Sequence, residues 1–163
     1  PYAGRAWLVH AGAGACSMTT GAHIALRDAV VALLEAAPAL ASGRIESRRK
    51  RQPMPQNAPE EIRVWLHTSD GKRADTANTK YEWTTVIAVH CLARDSSGID
   101  AETRVDAMAQ AVTSRVLNSA RLGSLALDIR LDRITWEGEE MDSSTADAVL
   151  AFSIFHRIQI SIS

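Results

Sequence analysis

An α+β domain, with an antiparallel or mixed β-sheet of about four to five strands and two main helices packed on one face, is the fold the sequence predicts. Two segments carry apolar residues at three- and four-residue spacing, and several others alternate apolar with polar residues. Their order is helix, two or three strands, helix, two strands, with no internal repeat.

The first helix is predicted over Ala22 to Ala37, where Ile24, Leu26, Val30, Val31, Leu33 and Leu34 make a broad apolar face. Pro38 and then Ser42-Gly43 stop it, because proline lacks the donor a helix needs and glycine accepts the left-handed cap geometry. Arg44 to Arg48 reads as a short polar strand. The following Arg-Arg-Lys-Arg-Gln-Pro-Met-Pro-Gln-Asn-Ala-Pro is an exposed loop, since its prolines cannot join a ladder. Glu61 to Leu66 alternates, with Ile62, Val64 and Leu66 facing a core and Arg63 and Trp65 facing away. Thr68 to Lys80, polar and containing Asp70-Gly71, is expected to be a solvated loop or hairpin tip.

Tyr81 to Ala93 then forms a long central strand, with Tyr81, Trp83, Ile87, Val89 and Cys91 on one side and Glu82, Thr84 and His90 on the other. Asp95 to Gly98 turns the chain, and Asp100 is placed to cap a second helix from Ala101 to Ala120. Ala101, Val105, Met108, Val112 and Val116 form its apolar stripe. Leu125 to Trp136 reads as a strand, and the last strand places Ala148, Leu150, Phe152, Ile154 and Ile158 on one face. Trp65, Trp136 and Phe155, with Val149 and Ala151, fall on the outer faces. So many apolar groups on a wet side point to contact with other subunits.

The chain of 163 residues carries 18 Lys plus Arg against 19 Asp plus Glu, a formal net charge of -1, with 46% hydrophobic and 23% charged residues. This balance is that of a globular domain able to bury about 69% of its surface, and excludes a wholly disordered chain. Cys16 and Cys91 imply neither a disulfide framework nor a zinc knuckle, so a reducing cytosol is the expected compartment. The apolar runs Ala29 to Leu34 and Val86 to Val89 are far shorter than the ~20 residues of a membrane helix, and no membrane partner is expected. Residues 1–17 read as a flexible leader or remnant ahead of Met18, and residues 18–163 as a single domain.

Templates for chemistry find no match: the chain has no phosphate-binding loop signature, nucleophile elbow, His-Glu-x-x-His or Cys-x-x-Cys. Gly12-Ala13-Gly14 does not stand between a strand and a helix. His10, His23, His67, His90 and His156 are scattered. His90 and His156 fall in strands that could be neighbours, which would allow a metal or acid-base pair, whereas a hydrogen-bonded core histidine is the simpler expectation for His156. Catalytic, cofactor-binding and metal-binding residues are therefore assigned as none. Two charged segments remain: the basic run Arg48, Arg49, Lys50 and Arg51, and the acidic turn of Glu137, Glu139, Glu140 and Asp142 around Gly138. Opposite charges at separate places with near-zero net charge suit head-to-tail contact between copies.

Several segments together resemble one family, the tail terminator (tail completion) proteins of long-tailed bacteriophages, the family of the lambda minor tail protein U. They are Asp28-Ala-Val-Val-Ala-Leu-Leu, Pro59-Glu-Glu-Ile-Arg-Val-Trp-Leu before a polar loop, and the strand Trp83 to Ala93 before an amphipathic helix. The ending Ile134-Thr-Trp-Glu-Gly-Glu-Glu, a polar stretch, then Ala148-Val-Leu-Ala-Phe-Ser-Ile-Phe completes the pattern, which spans Met18 to Ser163. The resemblance implies a non-enzymatic structural protein of the virion tail, assembled in the host cytoplasm. It implies a homo-hexameric ring that caps the tail tube, stops its polymerisation and joins the tail to the head. The implied partners are the tail tube protein and the head-tail connector, with DNA passing through the lumen without specific binding. In that reading the basic run is a partner-contact loop, the acidic turn faces the lumen, and Trp65, Trp136 and Phe155 belong to interfaces. The alternatives are a small cytoplasmic α+β ligand-binding domain or enzyme with a pocket between the second helix and the sheet, or another phage neck or tail component.

Overall fold

Each strongly periodic segment becomes a regular element in the computed structural model, which describes residues 21–48, 54–55, 57–75, 80–137 and 144–159. The elements are α1 (Ala22–Glu35), β1 (Ile45–Glu46), β2 (Glu60–Arg73), β3 (Lys80–Arg94), α2 (Ala101–Leu117), β4 (Asp128–Glu137) and β5 (Thr145–Gln159). Left-handed turns at Leu40–Gly43 and Arg121–Ser124 follow the two helices. The five strands form one mixed sheet in the order β1-β2-β3-β5-β4, with β1 parallel to β2 and every other pair antiparallel. The α+β class with two substantial helices therefore stands.

Both helices cover the same face. Leu26, Val30 and Leu34 of α1 and Val105, Met108, Val112 and Val116 of α2 pack on Ile62, Val64, Ile87, Val89, Leu150, Phe152 and Ile154, all buried. Asp100 caps α2 by accepting from the Thr103 N–H at 2.8 Å. Arg115, in the last turn of α2, donates to the carbonyls of Leu34 (3.0 Å), Ala36 (2.9 Å) and Pro38. These are carbonyls at and just beyond the α1 C-terminus, which lack helical partners, so a single guanidinium both caps α1 and fixes its position against α2.

Four expectations need correction. The segment Thr68 to Lys80 is the end of a β2–β3 hairpin, but it is not a loop from Thr68 onward: β2 continues to Arg73, paired with β3 as far as Tyr81. Its side chains are exposed there, so the ladder is held by backbone hydrogen bonds that leave no hydrophobic signature. The fourth strand begins at Asp128 rather than Leu125, because Arg121–Ser124 turns left-handed and leaves Leu125 and Leu127 exposed. Third, Trp136 does not lie on the outer face. Between Leu131 and Arg133 the register of β4 shifts by one residue, a bulge at Asp132. Alternation is thereby reversed, so Ile134 faces with Leu150 and Trp136 with Ala148, on the helix side of the sheet. The helices also end earlier than periodicity suggests, at Glu35 and Leu117.

Candidate functional site

Of the basic run, only Arg48 lies within the described residues; it is exposed, with Nε 3.5 Å from the Glu46 carboxylate. Arg49, Lys50 and Arg51 lie outside them, as do Gly138, Glu139, Glu140 and Asp142. Glu137 closes β4 opposite Asp147. Trp65 and Phe155 do occupy the helix-free face: Trp65 is registered against Ala88, and Phe155 between Thr84 and Asp128. Arg130 covers the Phe155 ring with its guanidinium 4.9 Å from the centroid, a cation-π contact. Trp136 stands on the edge strand, 54% exposed.

The helix-free face is less wet than a bare sheet surface. Glu61 and Arg63 are both buried there and form an ion pair at 2.9 Å. Next to them on the sheet, His90 Nε2 meets Asp147 Oδ2 at 2.5 Å, and the Trp65 ring stands edge-on to His90 with centroids 6.0 Å apart. Sequence reasoning missed both the Glu61–Arg63 ion pair and the His90–Asp147 contact. The spacing of two between Glu61 and Arg63, which puts opposite charges on one face of a strand, is the signal that could have found the first.

The histidines separate. His90 points to the outer face opposite Val149, whereas His156 pairs with Trp83 on the helix side, so the two imidazoles do not converge. His156 instead joins His23, which α1 contributes. His23 Nδ1 and His156 Nε2 each lie 2.9 Å from the Thr85 hydroxyl, and the Ser69 hydroxyl lies 3.2 Å from it. The Thr85 hydroxyl has one proton, so it can donate to only one ring nitrogen, and the other ring must donate to it. Burial, with some repulsion from His23, pushes the His156 pKa down to about 4, and burial also lowers that of His23. Both rings are therefore neutral at pH 7. His67 sits in the register shift of β2, exposed, and His10 lies outside the described residues. The expectation of a hydrogen-bonded core histidine at 156 holds; its partnership with His23 had no signal in the sequence.

Among the described residues no group of three or more His, Cys, Asp or Glu is placed to hold a metal ion, and no helix is long and apolar enough to cross a membrane. Cys91 is buried and its thiol is pushed up to about 12 by burial, which removes the thiolate needed for nucleophilic work. Cys16 and the Gly12-Ala13-Gly14 segment lie outside the described residues.

The geometry thus defines an α+β domain with one helix-covered face, one half-buried face carrying a buried ion pair and a His–Asp contact, and a long exposed edge strand. No family model and no curated protein matches the chain. Among solved structures it is similar to a chain of the virion of a native gene transfer agent particle, at 19% identity and a TM-score of 0.55, covering 85% of this chain and 99% of that one. At that identity the likeness is one of fold.

Proposed function

We propose that this protein is a non-enzymatic structural component of a phage-like particle, and specifically a tail terminator. The observation that carries the reading is the shared fold with a gene transfer agent virion chain across nearly the whole of that chain. In this role it forms a homo-hexameric ring on the end of the tail tube, stops tube growth and gives the head-tail connector its joining surface. The charge pattern supports the reading. Arg48, Arg49, Lys50 and Arg51 form the loop that contacts an acidic surface of a partner. Glu137, Glu139, Glu140 and Asp142, repeated around a ring, face the lumen and repel DNA phosphates so that the genome passes without sticking. Trp65, Trp136 and Phe155 contribute to contacts between subunits or with the tube.

The test is assembly in the absence of the protein. Particles lacking it are expected to carry tails of irregular length that do not join heads, and the purified protein is expected to restore joining. Replacing Arg48, Arg49, Lys50 and Arg51 by Ser is expected to weaken joining without changing the unfolding midpoint. Tails of normal length that join heads without the protein would reject the terminator role.

A further inference from the structure

Among the described residues, two edges of the sheet have no strand partner on their outer side. Among the described residues, β4 has a neighbour only in β5, and beyond Arg63 β2 has a neighbour only in β3. Unpaired edges expose rows of backbone donors and acceptors and template pairing with another chain. A bulge usually protects such an edge, and each of these strands has one, at Asp132 in β4 and at His67 in β2. The bulges fall at the same level when the strands are placed side by side in opposite directions with Asp128 against Lys72 and Arg130 against Asp70.

In that register every face agrees. Asp128, Arg130, Asp70 and Lys72 all lie on the helix-free side, as their partners Phe155, Ser153, Thr84 and Glu82 do. Ile129, Leu131 and Ile134 on the helix side then meet Gly71, Ser69 and Leu66. Because each strand reverses its alternation once, and at the same place, the match survives the bulges. The charges are complementary, negative on positive and positive on negative. Ile134, 37% exposed in the isolated chain, gains the half-buried Leu66 as an apolar neighbour. The direction also fits: with β2, β3, β5 and β4 successively antiparallel, a second copy set beside β4 in the same orientation presents its β2 antiparallel.

We propose that β4 of one copy pairs with Leu66–Lys72 of β2 in a second copy, continuing one sheet from subunit to subunit. The contact is heterologous, so it propagates around a ring or along a filament. It deepens the terminator reading by naming its subunit interface, and rests on that reading for closure into a ring.

Cross-linking tests it directly on the full chain carrying Cys16→Ser to remove background. Opposed positions on antiparallel strands have Cα atoms about 4.5 to 5.5 Å apart, within disulfide reach. Asp70→Cys with Arg130→Cys is expected to give a ladder of covalent oligomers on mild oxidation, and neither single variant is. Lys72→Cys with Asp128→Cys, in the same register, guards against one pair perturbing the edge. Light scattering on the same samples separates the two ideas. Assembly without a ladder from either pair overturns the interface and leaves the terminator reading standing. A strict monomer at every concentration, with no ladder, overturns the interface and removes the ring's support as well. Covalent dimers from Arg130→Cys alone would mean β4 pairs with itself, and would also overturn the proposal.

Discussion

The Thr85 hydroxyl and His156 Nε2 meet at 2.9 Å across adjacent strands, and His23 from α1 reaches the same oxygen at 2.9 Å with its ring edge-on to that of His156. Burial in this arrangement favours the neutral form of both rings. In the unfolded chain His156 takes up a proton near 6.5, whereas in the fold it does so only near 4. Between those values the unfolded chain binds more protons, so stability is full above pH 6.5 and falls as pH drops towards 4. A loss on the order of 2 to 3 kcal/mol is expected, measured by urea unfolding at pH 7.5 and 4.5. His156→Gln is expected to lower stability at neutral pH and to flatten this acid limb. An unchanged acid limb in that variant would assign the pH dependence to other groups.

Gly71 lies against Trp83, and a Cβ at that position would come within 2.7 Å of the indole. Trp83 in turn stands edge-on to His23 with centroids 4.8 Å apart. Gly71→Ala is therefore expected to displace the indole from its packing against His23 at a cost of about 1 to 3 kcal/mol. The near-ultraviolet circular dichroism should change with it, while far-ultraviolet signals stay native. Stability equal to the parent would mean the indole moves aside freely.

How much of this was legible in the sequence depends on whether burial or backbone geometry shapes the element. Val105, Met108, Val112 and Val116, and the alternating Ile87, Val89 and Cys91, announce their elements because repeated burial selects apolar residues at a fixed period. Thr68 to Arg73 carries no such signal, because exposed ladder residues are held by peptide groups common to every sequence. The bulge at Asp132 is equally silent. It adds one residue without altering composition, and it moved Trp136 to the other face. The meeting of His23 with Thr85, 62 residues apart, follows from how α1 docks on the sheet and has no local trace.

The Glu61–Arg63 pair, with both side chains 5% exposed, sits where removing one partner leaves the other charge out of water. Arg63→Met is expected to cost about 3 to 5 kcal/mol. The double variant Glu61→Gln, Arg63→Met is expected to recover part of that loss, because the buried carboxylate is removed together with its guanidinium partner. A double-mutant cycle by urea unfolding reads the coupling. Strict additivity would mean that the two side chains are stabilised separately by their other neighbours.

Trp136 offers the sharpest separation of folding from assembly. The bulge at Asp132 turns it to the helix side of the sheet, yet on the edge strand it remains 54% exposed, so the isolated domain derives little from its packing. Trp136→Ser is expected to leave the unfolding free energy within about 0.5 kcal/mol of the parent, as for other surface substitutions. In a sheet continued through β4 and β2, by contrast, Trp136 follows the Ile134–Leu66 pair by two residues on the same face, so the indole stands at the end of the subunit boundary. The same variant should shift self-association to higher protein concentration, read as mass against concentration by light scattering. Reduced stability with unaltered association would place Trp136 in the core of the single domain and remove it from the interface.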